Sequence, residues 1–131
     1  MELIHVNPPS LHTSPAFSQG MLVRGDHDLL QVGGQNGTDA SGAIVPGGIG
    51  PQTEQAMRNV LAVLEAAGAD QGNVIRMSIL LVEGQSFQEG FAAAMPVWGP
   101  HVTAITGAHV AGLGRPDALV EIEATAAIPR G

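Results

Sequence analysis

The chain has 131 residues, a length that suits one domain, with 12 acidic residues against 5 basic ones and a formal net charge of −7. All five basic residues are arginines, and so few cations argue against a nucleic-acid binder or a membrane-surface protein. The sequence has no cysteine, no apolar run long enough to span a bilayer, and no basic segment followed by an apolar one in MELIHVNPPS. We therefore expect a cytoplasmic protein that forms one domain, residues 1–131.

Short apolar runs separated by turn residues begin the chain. Leu3–Val6 predicts a strand that ends at Asn7-Pro8-Pro9, because proline cannot donate to a β-ladder. The runs Met21–Arg24 and Leu29–Val32 flank the turn-like segment Gly25–Asp28. We therefore expect a second and a third strand joined as a β-hairpin.

A glycine-dense segment, Gly34–Gly50, separates these strands from the best helix of the chain. A loop of this length inside a small domain is functional or disordered, and its place between a strand and a helix suggests a pocket rim. Pro51–Ala67 predicts the helix, with proline at its start and apolar residues at helical spacing. Gly68 suits its C-terminal stop.

The second half of the chain predicts a strand, a helix and two further strands. Val74–Val82 is apolar almost throughout, as expected for a central strand covered on both faces. Ser86–Val97 predicts a second helix with Ser86 as its N-cap. His101–Val110 and Ala118–Ala127 alternate with period two, which is typical of strands with two unlike faces.

The strand His101–Val110 carries two different rows of side chains. We expect the nearly apolar row in a core: Val102, Ala104, Thr106, Ala108 and Val110. The other row is polar and crowded, with an isoleucine at its centre: His101, Thr103, Ile105, Gly107 and His109. We expect this second row to face a pocket rather than the core of its own chain.

The element order β-β-β-α-β-α-β-β predicts a two-layer α+β fold, with a six-stranded mixed β-sheet and two helices on one face. The second face of the sheet would then have to be buried against another protein surface. The composition agrees, since 44% of residues are apolar and only 13% are charged, where about 25% charged is typical. We expect further copies of the chain to provide that cover, although a glycine- and alanine-rich composition without such meaning is the alternative.

Four segments in this order resemble the Rid/YjgF family of reactive-intermediate deaminases: AFSQGM (16–21), VGGQNG (32–37), QTEQAMRNVLAVLEAAGA (52–69) and VAGLGRPDALVEIEATAA (110–127). The resemblance implies a fold and a homotrimer like those of chorismate mutase, with three ligand pockets at the subunit interfaces. In the deaminase branch of the family, water adds to a conjugated imine or enamine, and ammonia and a 2-keto acid are released. No cofactor is implied.

The resemblance also implies an arginine in the fifth strand, which holds the substrate carboxylate with paired hydrogen bonds. Counting back from Val110-Ala111-Gly112-Leu113 places this arginine at Ile105. Further family pocket positions carry Phe17, Gly33 and Phe91, where a tyrosine, a serine and an asparagine are usual. Loss of the cation disfavours a carboxylate ligand. We therefore expect an uncharged small molecule, bound by Phe17, Gly33, Phe91, Ile105, Gly107 and Leu119.

Glu121 and His109 are the predicted catalytic residues. They could act as an acid–base pair, because imidazole exchanges protons near neutral pH and a carboxylate orients it. The alternatives are structural, namely a hydrogen bond from His109 to a backbone carbonyl and bonds from loop amides to Glu121. Arg115 either supplies a relocated positive charge or pairs with Asp117 in a surface turn.

We expect no metal site, because His101 and His109 lie roughly 26 Å apart on an extended strand and Asp26-His27-Asp28 lies on a turn without a partner. Two functions remain open. One is a trimeric enzyme that hydrolyses or tautomerises an uncharged enamine, imine or related intermediate but is not a typical 2-aminoacrylate deaminase. The other is a non-catalytic ligand-binding or regulatory trimer. Ribonuclease activity, also described for the family, fits the charge of −7 least.

Overall fold

A computed structural model describes residues 1–131 and confirms the predicted order of elements. The strands are β1 (Glu2–Val6), β2 (Gly20–Arg24), β3 (His27–Gln35), β4 (Val74–Val82), β5 (Ala104–Val110) and β6 (Val120–Pro129). The helices are α1 (Ile49–Ala66) and α2 (Phe87–Trp98), and a short 3-10 helix, Gln71–Asn73, precedes β4.

The strands form two sheets, so the predicted single six-stranded sheet is wrong. Four strands pair in the order β3-β6-β4-β5, and this sheet is mixed because β4 and β5 run parallel while the other neighbours run antiparallel. β1 and β2 form a separate two-stranded ribbon. The predicted β2–β3 hairpin is also wrong. The chain bends at Gly25, whose φ is 91°, and the strand on each side of the bend pairs elsewhere, β2 with β1 and β3 with β6.

Both helices lie within two residues of their predicted bounds. α1 ends beside Gly68, whose φ of 76° lets its amide donate to the carbonyl oxygen of Glu65. Ser86 caps α2, because its hydroxyl oxygen accepts a hydrogen bond from the amide of Glu89 at 3.1 Å. Neither helix is long and apolar enough to cross a membrane.

Both helices cover one face of the four-stranded sheet, as predicted, and we call it the helix face. Alternate residues of the strands point to it and join the helices in a cluster of 16 buried residues. The two central strands contribute Val74, Met77, Ile79 and Leu81 of β4 and Val120, Ile122, Ala124 and Ala126 of β6.

The opposite face, which we call the open face, carries no helix. On β4 it presents Arg76, which is exposed, and Ser78, Leu80 and Val82, which are half-buried. Within one chain, β4 is therefore fully buried on one face, not on both.

The two rows of β5 face the opposite way from the prediction. Because Met77 pairs with Ile105 and Leu81 pairs with His109, the row of Ile105, Gly107 and His109 lies on the helix face. The nearly apolar row lies on the open face. An apolar row indicates burial, but burial under the chain's own helices and burial under another protein surface leave the same pattern.

Candidate functional site

Glu121 lies half-buried on the open face, near the start of β6. Its carboxylate lies against Gly34, where an added Cβ would be 2.7 Å from the Cδ and Oε2 atoms of Glu121. Asn36 donates from Nδ2 to Oε1 of Glu121 at 3.3 Å and to the carbonyl oxygen of Val120 at 2.9 Å. The carboxylate is therefore positioned by a glycine that leaves it room and by a side-chain amide.

The loop between β3 and α1 is tied down beside this carboxylate. Asn59 of α1 donates to the carbonyl oxygens of Asn36 at 3.1 Å and Thr38 at 2.9 Å. Further along the loop, hydrogen bonds from the Ser41 hydroxyl and from the amides of Ala43 and Ser41 hold the pKa of the Asp39 carboxyl below its ordinary value of 3.8. The loop thus supplies and fixes Asn36, the donor to Glu121.

A second group, which we call the edge cluster, consists of Phe87, Phe91, Gly107 and His109 on the helix face of the edge strand β5. The Phe87 ring covers Gly107, where an added Cβ would be 3.1 Å from Cε1 of the ring. The same ring meets His109 edge to face at 4.9 Å between centroids, and Phe91 lies 5.9 Å away. His109 donates from Nε2 to the carbonyl oxygen of Gln85 at 2.8 Å, so Nδ1 is its free acceptor when the ring is neutral.

Ile105 lies in the same row, half-buried, and packs against the core. The expectation that it faces away from its own core is therefore wrong, because the helix layer extends to the edge strand. Arg76, on the neighbouring strand β4, does not place its charge beside Ile105, where the family resemblance implies an arginine. Arg76 pairs with Ala104 and so points to the open face, where its Nη2 donates to Thr106 at 3.0 Å.

The remaining predicted ligand contacts lie apart from one another. Phe17 is half-buried in the segment before β2, and the amide of the next residue, Ser18, donates to the carbonyl oxygen of Thr103 at 3.0 Å. Gly33 has open space on its side-chain side, since an added Cβ would meet nothing within 4 Å. Leu119 packs against the core.

One chain does not bring Glu121 and His109 together. In the ladders, Leu80 pairs with Glu121, and the next residue, Leu81, pairs with His109. Successive residues of a strand point to opposite faces, so the sheet lies between the two predicted catalytic side chains. Their action as a pair would require groups from two copies of the chain.

The other sequence candidates take part in local structure. Arg115 forms an ion pair with Asp117 at 3.4 Å, which confirms the surface turn, and it also donates to the carbonyl oxygen of Gly42. His27 bonds the carbonyl oxygen of Gly25 within its own turn at 2.9 Å. No three His, Asp or Glu side chains lie close enough together to hold a metal ion.

Sequence reasoning missed Gly34, Asn36, Phe87 and Arg76. Of the two glycines in VGGQNG, the second makes the close approach to the carboxylate, and nothing local distinguishes it from Gly33. Arg76 did leave a signal, because it is the one charge inside the apolar run VIRMSILLV. A charge in an otherwise apolar strand indicates a face that is not part of the chain's own core.

The fold and the site together define a two-layer α+β protein with a carboxylate on an uncovered sheet face and aromatic residues at the edge of the sheet. The family model described as Endoribonuclease L-PSP matches residues 9–128. The chain therefore belongs to this family, the Rid/YjgF family that its sequence segments resemble.

Similar proteins within the family carry names that describe different functions. The chain is 40% identical to the 2-iminobutanoate/2-iminopropanoate deaminase of Rattus norvegicus over 73 residues, 55% of this chain and 51% of the relative. The chain thus spans about half the length of the curated deaminases it matches. It is 33% identical over 113 residues to a putative regulator, AldR, of Lactococcus lactis, which covers 86% of both chains. A solved Rid-family structure of unknown function from Yersinia pestis superposes with a TM-score of 0.85 at 28% identity, covering 98% of this chain and 100% of that one.

Proposed function

We propose that the chain forms a homotrimer that binds an uncharged small molecule in pockets between subunits and acts on it by water-mediated acid–base chemistry. The substrate class is an imine, an enamine or a related metabolic intermediate. Relatives named as imine deaminases support this class of chemistry. We expect the protein in the cytoplasm and without a cofactor.

The observation that carries the proposal is the division of the predicted site into two halves. Glu121 and Asn36 lie on the open face, whereas His109, Gly107 and Phe91 lie on the helix face at the sheet edge. A small-molecule pocket needs walls on several sides of the ligand. A pocket that uses both halves forms only if the open face of one copy meets the edge of another.

Glu121 is the group best positioned to transfer a proton. In hydrolysis, its protonated carboxyl gives a proton to the imine nitrogen while water adds to the carbon of the C=N bond. The added water then returns a proton to the Glu121 carboxylate, which gives a neutral carbinolamine. Glu121 next protonates the amino nitrogen, the C–N bond breaks as the hydroxyl proton passes back to the carboxylate, and ammonia and a carbonyl product leave. Gly34 and Asn36 hold the carboxylate in place for both steps. His109, with Nδ1 free, is the second group that could move a proton in the assembled pocket.

Ile105 packs against the core with part of its side chain and leaves the rest accessible on the edge strand. We propose that this accessible part lines the pocket and sets the substrate class. An arginine would offer a carboxylate two parallel charge-assisted hydrogen bonds, and an isoleucine offers none. The proposed ligand therefore has no carboxylate at this position. Phe17, Gly33, Ile105, Gly107 and Leu119 remain proposed contacts with the uncharged remainder of the ligand.

Ammonia release provides the test of the substrate class. We expect the wild-type protein not to accelerate ammonia release from 2-aminoacrylate, and we expect Ile105→Arg to gain part of that activity. A wild-type rate equal to that of arginine-bearing family members would overturn the assignment of an uncharged substrate.

Substitution of Glu121 tests the mechanism. With an uncharged imine substrate, Glu121→Gln should lower turnover by about 10²- to 10⁴-fold, because proton transfer by a positioned carboxyl is lost. The oligomer mass should stay the same. Glu65→Gln, at an exposed position of α1, is the matched control. Unchanged turnover in Glu121→Gln would remove this residue from the mechanism.

A non-catalytic ligand-binding or regulatory trimer is the second candidate function. The relative named as a putative regulator, which matches over 86% of both chains, favours it. This candidate predicts calorimetric binding of a small molecule that is recovered unchanged. The net charge of −7 gives no support to RNA as a substrate, although the family description includes the word endoribonuclease.

A further inference from the structure

The open face carries two side chains of opposite charge that have no ionic partner in their own chain. Arg76 of β4 is exposed and makes one side-chain hydrogen bond, from Nη2 to Oγ1 of Thr106 at 3.0 Å. Glu123 of β6 is exposed as well. The three ion pairs of the chain use other residues: Arg58–Glu54, Arg115–Asp117 and Arg130–Asp28.

Arg76 and Glu123 line the same hollow of about 110 Å³. Gln31, Ser78 and Thr125 add polar groups to its wall. The two charged residues lie on neighbouring strands, with Thr125 directly opposite Arg76 and Ser78 directly opposite Glu123. However, the guanidinium of Arg76 turns towards β5 on the other side. Arg76 therefore borders the hollow, and its charged group does not meet that of Glu123.

The surroundings of the hollow indicate what occupies this face. Beside Arg76, Glu123 and the Glu121 carboxylate, the open face also carries apolar side chains, among them Leu29, which is 57% exposed, and the half-buried Leu80. Such a face suits burial against another protein surface, and a charge that is buried there needs a partner. The surface that meets it has to present both a carboxylate and a cation, and a second copy of the chain presents both.

We propose that Arg76 of one subunit forms an ion pair with Glu123 of the neighbouring subunit. In a closed ring of identical subunits, symmetry repeats the contact between one subunit and the next, so every Arg76 and every Glu123 finds a partner. This inference rests on the proposed homotrimer and deepens it. It assigns the two residues that select the correct partner surface, because a misaligned contact would bring like charges together.

Charge reversal tests whether the pair forms between chains. Arg76→Glu makes both positions acidic, and Glu123→Arg makes both basic. Each variant alone should raise the dissociation constant of the subunits by about tenfold or more, because like charges then meet. In a trimer built from both variants, two of the three contacts regain opposite charges and one stays between like charges, so an equimolar mixture should recover part of the wild-type assembly. The double variant Arg76→Glu/Glu123→Arg, which restores opposite charges at all three contacts, should recover it fully. Mixing can improve assembly only if residue 76 of one chain contacts residue 123 of another chain. Sedimentation velocity over a dilution series measures assembly, and native mass spectrometry detects mixed oligomers.

The exposed Arg58–Glu54 pair on α1 provides matched controls, because Arg58→Glu and Glu54→Arg make the same charge changes on the helix side. Both control variants should assemble like the wild type. If the wild type is a trimer and neither open-face variant weakens it, or if the double variant assembles no better than the single variants, the ion pair is overturned while the homotrimer stands. A wild type that is monomeric at every concentration overturns both. Unaltered assembly of the variants, with loss of binding of a free amino acid, would show that the hollow is a zwitterion site instead.

Discussion

The helix face and the open face of the four-stranded sheet are built by the same strands, yet one chain buries only the first. Ile79 and Leu80 are neighbours in β4. Ile79 is 3% exposed in the core, whereas Leu80 is half-buried on the open face. On β6, Ile122 is fully buried between Glu121 and Glu123, which point the other way.

The difference separates what folding requires from what assembly and chemistry require. The helix face holds apolar side chains whose burial stabilises the isolated chain. The open face holds the carboxylate of Glu121 and two further charges, Arg76 and Glu123, beside apolar side chains that only another surface can cover. Substitutions on the two faces should therefore act on different equilibria.

The largest expected effect is on the helix face. Ile79→Ala removes a buried side chain from the core and should lower the free energy of unfolding by about 2–5 kcal/mol. Leu80→Ala, one residue away, should change the unfolding of dilute monomer by less than about 1 kcal/mol. Urea denaturation at low protein concentration, followed by circular dichroism, measures both values.

At higher protein concentration, the effect of Leu80→Ala should appear as weaker association of subunits in sedimentation velocity. Equal losses of unfolding free energy for the two variants at every concentration would contradict the division between the two faces. That result would mean that the open face contributes to the core of a single chain.

A smaller effect is expected at the glycine beside Glu121. Gly34→Ala places a methyl group where the carboxylate lies, 2.7 Å from the Cδ of Glu121. The carboxylate must then shift, and turnover or ligand affinity should fall by about ten- to a hundredfold, as expected for a small misplacement of a reacting group. The steady-state kinetics of the purified variant, or calorimetry with the ligand, measures the change.

Gly112→Ala is the matched control, because an added Cβ at Gly112 meets nothing within 4 Å and Gly112 is not among the proposed ligand contacts. It should leave both activity and stability nearly unchanged. Equal loss of activity in the two variants would show that activity does not depend on the close approach of Gly34 to the Glu121 carboxylate.

The helices could be predicted from the sequence because their signals are local. Ser86 caps the start of α2, and Gly68 follows the end of α1, each through hydrogen bonds to residues a few positions away. The strands were also found, because alternation is local. Their partners were not found: the turn at Gly25 shows where the chain bends, whereas the pairing of β3 with β6 depends on residues about a hundred positions away.

The candidate site could be predicted only as a set of residues. Glu121 was found through its family segment, but the residues that position it, Gly34 and Asn36, give no signal of their own. The face of β5 was assigned wrongly because Ala104 and Ala108 suit burial by any surface. Which surface covers a row is a tertiary or quaternary property, and alternation within seven residues does not encode it.

The smallest expected effect concerns the loop that supplies Asn36. Its Asp39 carboxyl accepts hydrogen bonds from Ser41 and Ala43, and these keep its pKa below 3.8. Because the pKa of the folded protein lies below that of the unfolded chain, the contribution to stability is present above pH 3.8 and is lost as the pH falls through the folded pKa. Carbon-detected NMR should show Asp39 titrating below its ordinary value. Ser41→Ala, which removes the hydroxyl donor, should raise that pKa towards 3.8, whereas Ser86→Ala, which removes a hydroxyl that caps α2, should not change it. An Asp39 titration that is the same in Ser41→Ala and in the wild type would show that the hydroxyl does not hold this part of the loop, and that Asn36 keeps its place through its bonds with Asn59 and Val120.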